Sequence, residues 1–505
     1  MLNGFTRSFP PVEMLTAEEM ESIHRGALYV LEKTGMGIGH AGALQQLADA
    51  GCSVDLESAR VRFPAWLVED CLRKVPTHFR LRARNPEQDL MVGGDTFYFM
   101  QGMGMQYLEL DTWETRPATG AEHRDAMIVA DALPNVHLAE AWEIYTDRRG
   151  IPPVMVMLEN LANGIRYSSK AQVAGNIQDT EIFAIMMAQA VGIDLFPEIE
   201  HASPLTIHDG GVNAAYRYMD AAMPICPALG VAMGAQGPAT IAGSIVLQVA
   251  ETMGWAVLTQ TYRPGAPIAI HHGAGALDMR TGIDIWGGPA VSVSTAMMNQ
   301  MLRRYGVPIW SNAGFASDSK KIDFQAGFEK STGALMAALS GGHLQLFQGG
   351  SSTELLFSPE LMVMDDDVAG WIGRVLQGAQ ITEETLAVDV INEVGPIPGH
   401  YLGHAHTREF WNKEDYFTAV TDHEPYSAWV TTGKQDMLGR ATEKVEEILA
   451  GHKPIPLSDA EREGVDDALR EAREHYRGRG AISDADWSDY MDELKLEERD
   501  HLATA

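Results

Sequence analysis

The stretch GAGALDMRTGIDIWGGPA, Gly273 to Ala290, and after a helical gap SNAGFASDSKKIDFQAGFEK, Ser311 to Lys330, decide how this 505-residue chain is read. Each half reads as strand, glycine-rich loop, then helix. Asp278, Gly282 and Pro289 punctuate the first loop; Gly314, Asp318, Asp323 and Gly327 punctuate the second. Loops of this kind at strand ends are where α/β scaffolds place their chemistry. Outward from this pair, short apolar strands alternate with longer helices from about Val136. The expected strands are Val136–Glu143, Tyr167–Ala174, Ser203–Ile207, Cys226–Ala232, Ile268–His272, Ile309–Ala313 and Leu344–Gln348. The expected helices include Asp179–Val191, Ala239–Thr261, Pro289–Tyr305 and Phe324–Ser340. That alternation is the pattern of a parallel sheet. Seven strands are countable, and periodicity alone fits both a closed (β/α)8 barrel and an open doubly wound sheet.

The two ends of the chain differ in character. Residues 15 to 75 read as helical, beginning at a capping box in Thr16-Ala-Glu-Glu19. Phe79 to Leu110 reads as β-rich around Phe97-Tyr98-Phe99. Beyond Pro456 come two charged helices, Ser458 to about Tyr476 and Ser483 to Arg499, with Trp487, Tyr490, Met491 and Leu494 as a modest apolar stripe. That tail reads as a solvated segment folded on the core or as a docking arm.

Composition bounds the function. A net charge of −31 leaves no basic face for nucleic acid and disfavours anionic membrane, while it favours a cationic substrate. The three cysteines, Cys52, Cys71 and Cys226, have no framework spacing, and no signal peptide or membrane span is evident. A cytoplasmic location is expected.

Seven motifs, two of them within the stretches 273–290 and 311–330, carry a resemblance. They are Asp111-Thr-Trp-Glu-Thr-Arg116, Ser203-Pro-Leu205, Met233-Gly-Ala-Gln-Gly-Pro-Ala-Thr240, Pro264-Gly-Ala-Pro267, Asp278-Met-Arg-Thr-Gly282, Asp323-Phe-Gln-Ala-Gly-Phe-Glu329 and Asn392-Glu-Val-Gly395. In this order, over roughly residues 10 to 455, the chain resembles the trimethylamine methyltransferase (MttB) superfamily, whose members move a methyl group from a methylated amine to a corrinoid protein. One departure is Ala290, where the family usually has an acidic residue. The resemblance implies a TIM (β/α)8 barrel with an N-terminal helical and β cap and a C-terminal helical tail. The expected boundaries are 1–130 for the cap and hairpin region, 131–455 for the barrel and 456–505 for the acidic tail. It also implies a corrinoid carried by a cognate partner protein, a small quaternary amine as substrate, and no zinc. A homo-oligomer is expected.

The residues agree with that chemistry by what they lack. A quaternary ammonium already has a neutral amine as its leaving group, so the enzyme needs positioning and water exclusion, not a general acid. No GxSxG, HExxH or P-loop occurs. His400, His404 and His406 form the only tight histidine cluster, in a loop lacking acid or cysteine at ligand spacing. His271 and His272 alternate along a strand, so one faces the barrel mouth. The family's trimethylamine enzymes carry pyrrolysine; this chain has none, and the comparable region is His343 to Gly349. That points to quaternary amines such as glycine betaine, with Gln348 as the expected catalytic position. Expected substrate contacts are Phe97, Phe99, His272, Asn312 and Gln345; expected corrinoid-facing positions are Gly234, Gln236 and Gly314. Two other readings stay open, another methylated substrate (trimethylamine or a sulfonium) and a non-catalytic quaternary-amine-binding relative.

Overall fold

A computed structural model describes residues 4–141 and 143–504, with side chains as far as Glu497. Met1–Asn3 of the expected cap, Trp142 of the expected first strand and Ala505 lie outside the described residues. Eight parallel strands close on themselves: β1 (Thr96–Gln101), β2 (Leu138–Ala139), β3 (Ala171–Ala174), β4 (Leu195–Ile199), β5 (Cys226–Met233), β6 (Ile270–Asp278), β7 (Ile309–Ser311) and β8 (Leu344–Gln348). Closure is made by β8 pairing with β1, Leu344 opposite Tyr98 and Leu346 opposite Met100. Each strand is followed by a helix: α1 (Gly120–Ala132), α2 (Pro153–Tyr167), α3 (Thr180–Val191), α4 (Asp209–Asp220), α5 (Ile241–Tyr262), α6 (Pro289–Tyr305), α7 (Phe324–Leu339) and α8 (Pro359–Gln377). The fold is a TIM barrel.

Two strands differ from the sequence reading. The strand missing from the count is Thr96–Gln101, so the barrel begins within the expected cap and not at residue 131. All six residues of β1 are apolar or carry no charge, because both faces are covered. The fourth strand is Leu195–Ile199 and not Ser203–Ile207. Pro197 disguises it, since proline cannot donate to a ladder; pairing with β5 starts only at Glu198. Thr206–Ile207 pairs instead with Met36–Ile38, in a small sheet with Arg60–Arg62 and Ser53–Asp55.

The barrel interior is filled by Tyr98, Met100, Leu138, Val173, Phe196, Cys226, Ala269, Trp310, Leu344 and Leu346. The hairpin His78–Leu81 with Leu90–Gly93 plugs the N-terminal end, where the Tyr98 hydroxyl meets the Met91 backbone. The N-terminal helices Ala17–Lys33, which begins with the expected Thr16 capping box, and Ala65–Lys74 pack on α5. That cover explains why α5 is apolar all round and long enough by composition to cross a membrane, yet is mostly buried. The tail folds back on the barrel: Asp459–Gly478 packs on α3 and α2, and Asp484–Thr504 on α1. Tyr476 and Tyr490 are buried there, and Glu159 of α2 receives both the Arg473 guanidinium at 2.5 Å and the Tyr490 hydroxyl.

Candidate functional site

The interior changes chemistry in one step toward the strand C-termini. The even-numbered strands put Leu138, Phe196, Ala269 and Leu344 in the core. Two residues on, the same strands present Glu140, Glu198, His271 and Leu346, because side chains alternate along a strand. His271 stacks on Trp310 at 4.2 Å, and Trp310 stacks on Phe196 at 5.6 Å. Its Nδ1 lies 3.0 Å from Glu198 Oε1 and its Nε2 2.5 Å from Asn312 Oδ1. The imidazole thus bridges Glu198 and Asn312 across the mouth.

Around this pair four carboxyl groups converge, Glu140, Glu143, Glu198 and Glu354. Glu140 is fully buried and neither oxygen makes a full hydrogen bond; one oxygen each of Glu143 and Glu198 is likewise buried and unpartnered. Burial first, and the neighbouring Glu198 second, push the Glu140 carboxyl well above the usual range. Glu143 is raised by burial and then by Glu198, Glu140 and Glu354. Burial and Glu198 push Glu354 up to about 7. Buried acids without donors are costly, and the group that would satisfy them is a cation.

The backbone spends strain to place Glu354. Ser352, Thr353 and Glu354 lie consecutively in the left-handed region, with φ of 50°, 52° and 70°. Such a conformation costs on the order of 1 kcal/mol or more per non-glycine residue and collects at functional sites. The turn is the tip between Gly350–Ser351 and Leu356–Phe357, which form one sheet with Gln106–Glu109 and Glu114–Arg116. The motif Asp111–Arg116 thus sits in the hairpin that clamps this tip, and Met105 N–H donates to the Glu354 carbonyl at 2.9 Å.

An aromatic residue closes one side. A Cβ added at Gly273 would lie 2.9 Å from the Trp286 ring and 3.2 Å from Asn312, so glycine lets the indole lie against β6. Trp286 meets Phe315 edge-on at 5.0 Å. Asp318 holds this loop by accepting from the backbone N–H groups of Trp286 and Gly287, at 3.3 and 3.1 Å, and from Thr353 Oγ1 at 3.1 Å. Asp323 caps α7, accepting from Ala326 N–H. Both aspartates organise loops, as their positions before helices suggest.

Asn312, among the expected contacts, does face the carboxyl cluster through His271. Others point elsewhere. Phe97 and Phe99 are on the outer face of β1, fully buried with Phe347, Ala334 and Ile372 under α7 and α8. Contact with a substrate in the mouth is incompatible with that position. His272 also faces outward, its Nε2 2.8 Å from Asn299 Oδ1 of α6; its neighbour His271 is the one in the mouth. Gln345, between inward Leu344 and Leu346, lies on the outer face, its Nε2 donating to the Leu346 carbonyl at 2.6 Å. Gln348 donates its amide to the Asn135 carbonyl at 2.9 Å, and Asn135 is bound to Asp366 of α8. Its amide is therefore engaged on the α8 side. Gly314 has no open face: a Cβ there would meet the Lys330 carbonyl at 2.3 Å, so it serves the packing of α7. Gly234 and Gln236 are exposed at the rim after β5, and Gln236 Oε1 accepts from Ala232 N–H at 3.0 Å. His404 caps the helix Ala405–Phe410 and lies 3.6 Å from Glu393.

A model of one family, described as trimethylamine methyltransferase (MTTB), matches residues 1–475. The chain belongs to the MTTB family. It is 31% identical over 463 residues to the glycine betaine methyltransferase of Desulfitobacterium hafniense strain Y51, covering 89% of this chain and 94% of the relative. To the trimethylamine methyltransferase MttB of Desulfitobacterium hafniense strain DSM 10664 / DCB-2 it is 28% identical over 470 residues, covering 91% and 94%. The crystal structure of the MtmB–hydroxylamine complex is similar with a TM-score of 0.49 and 10% identity, covering 92% of this chain and 88% of that one. The barrel assignment rests on the strand pairings, not on that likeness. The glutamates escaped the sequence reading because no spacing links residues 140, 143, 198 and 354; the single usable signal was an acid near the end of each of two strands.

Proposed function

We propose that this MTTB-family chain binds a quaternary amine, glycine betaine being the first candidate, at the acidic barrel mouth and passes one methyl group to a corrinoid carried by a partner protein in the cytoplasm. The carrying observation is the set of buried, unpartnered carboxyl oxygens of Glu140, Glu143 and Glu198 around His271, with the Trp286 ring lying against β6 at Gly273. A diffuse N⁺ charge is satisfied by carboxylates and aromatic faces together. When bound, the corrinoid supplies a Co(I) nucleophile. The chain's own residues hold and orient the ammonium, and keep water from the reacting carbon. Small residues fit a bulky group at the rim, since above Gly234 an added Cβ would meet only the Ala239 methyl, at 3.9 Å. For the carboxylate of a betaine we assign Lys320, the exposed cation whose Nζ donates to the Asp318 carbonyl next to Trp286. Arg280 is held by both oxygens of Asp278.

The test is methyl transfer to reduced cobalamin, followed by its spectrum, with glycine betaine, proline betaine, carnitine and trimethylamine as a panel. Quaternary amines should lead, and chelators should have no effect. Ligand saturation with no methylcobalamin from any member of the panel would leave a binding protein instead. Lys320→Gln should raise KM for betaines and leave that for trimethylamine unchanged.

A further inference from the structure

One acid-bearing loop of the mouth, residues 143–150 after β2, is held under load. It carries Glu143 in among the carboxyl groups of Glu198, Glu140 and Glu354, where like charges repel. Two residues on, Tyr145 lies in the left-handed region with φ of 53°, and its hydroxyl is buried without a partner. Non-glycine strain of this kind persists only where the surroundings enforce it. On the mouth side the hold is backbone. Gly104 N–H donates to the Glu143 carbonyl at 3.3 Å, Tyr145 N–H to the Gly104 carbonyl at 2.8 Å and Asp147 N–H to the Met105 carbonyl at 3.0 Å. Met105 N–H in turn donates to the Glu354 carbonyl, so both acid-bearing loops hang on the segment after β1.

On the outer side the hold comes from the far end of the chain. Arg148 is buried, and its Nη1 donates to Asn160 Oδ1 of α2 at 2.8 Å. Asn160 Nδ2 donates to the Ile144 carbonyl at 2.9 Å, and the second Arg148 terminal nitrogen donates to Glu497. Next to it, Arg149 meets both oxygens of Glu493, at 3.3 and 3.1 Å. Glu493 and Glu497 are four residues apart on the helix Asp484–Thr504, and so share one face. Glycines seat that face on bare backbone. A Cβ on Gly120, the first residue of α1, would collide with the Glu497 carboxyl, and one on Gly150 would lie 3.1 Å from Glu493 Cβ. A hydrogen-bonded path thus runs from Glu497 through Arg148 and Asn160 to the residue after Glu143. The family match ends at residue 475, ahead of both carboxylates.

We infer that Glu493 and Glu497 are positioning residues for cation binding at the mouth, latching the loop through Arg148 and Arg149 and so fixing where Glu143 stands. The inference rests on the cation reading of the mouth. Without Glu497 the Arg148 guanidinium is a buried charge lacking its carboxylate, which is strongly unfavourable. It withdraws toward water and takes the Asn160 hold on Ile144 with it. The strained loop then relaxes, and the segment after β1 passes the shift on to Glu354.

The experiment compares the full chain with Glu493→Gln plus Glu497→Gln and, as a control, with Asp492→Asn, an exposed site on the same helix. Hydrogen exchange over residues 143–149 reads the latch with no ligand present. It should be about tenfold faster in the double variant and unchanged in the control. Calorimetry with tetramethylammonium reads the mouth. The double variant should bind about tenfold more weakly at an unchanged unfolding midpoint. A merely structural tail would lower the midpoint and leave the affinity of the folded protein as it was, and that result overturns the inference. Unchanged exchange in the double variant overturns it too. Where the double variant does not fold, Glu493→Gln alone, which keeps the Arg148 pair, should give about threefold in both readouts, and no change overturns the inference. If the unaltered chain bound no tetramethylammonium, the cation reading of the mouth would fall, whereas exchange of the loop would still decide whether the tail latches it.

Discussion

Glu354 shows how one residue ties the fold to the proposed chemistry. Its carboxyl, pushed up to about 7 by burial and by Glu198, is largely protonated in the free protein at mildly acid pH. A bound ammonium favours the ionised form, so binding releases a proton. Affinity should therefore rise with pH by up to tenfold per unit below about 7 and flatten above it. Titration calorimetry with tetramethylammonium, in two buffers of different ionisation heat, reads both the slope and the released proton. A pH-independent affinity would remove the cluster from the site. The stability of the free protein should move the other way. Because the folded carboxyl titrates above its unfolded value, its contribution is present at low pH and is lost as pH rises through about 7. Glu198→Gln should weaken both the cation site and the hold on His271, lowering kcat/KM by tenfold or more, about 1.4 kcal/mol.

At the scale of elements, the mouth is set by loops packed directly on helices. The backbone at Gly314 touches the backbone of α7: a Cβ there would lie 2.3 Å from the Lys330 carbonyl and 2.5 Å from Ala334 N, and its φ is +82°. Neither strain nor clash can be relieved by a side-chain rotation. Gly314→Ala should destabilise the protein by about 3 kcal/mol or more, read as a lower unfolding midpoint. Because Asn312 lies two residues away, binding should weaken as well. Lys330 of α7 supports the same region: its Nζ is buried, 3.1 Å from Asp365 and donating to the carbonyls of Phe347 and Gly350. Burial lowers the Lys330 ammonium, with Asp365 opposing that shift. This bond fixes the start of the loop that carries Glu354.

For the whole molecule, the tail is part of the barrel's electrostatics and not an accessory. Burial pushes the Glu159 carboxyl up, yet the Arg473 guanidinium and the Tyr490 hydroxyl hold it below the usual range. Arg148, with its side chain almost fully buried, finds its carboxylate in Glu497. Arg473→Met leaves Glu159 buried without its cation, and removing one partner of such a pair typically costs about 3–5 kcal/mol. Since the folded carboxyl titrates below its unfolded value, this contribution is present above about pH 4.5 and is lost as pH falls. The unaltered protein should thus release its tail to proteolysis in acid sooner than at neutral pH, and Arg473→Met should do so at neutral pH already. Equal protease resistance of the two proteins at pH 7 would contradict this.

The βα rhythm, the capping residues and the motif order were legible in the sequence because they are local: period, turn chemistry and helix starts act over a few residues. The alternation rule even restricted the mouth to one of His271 and His272. Only the tertiary structure decided which one, since strand orientation depends on what each face packs against. Phe97 and Phe99 share one face of an isolated strand and read there as substrate contacts; in a closed barrel that face is covered by α7 and α8. Pro197 hid a strand whose place is fixed by its neighbours. The glutamates meet because β2, β4 and the loop after β8 come together only when the barrel closes, and no sequence separation encodes that meeting.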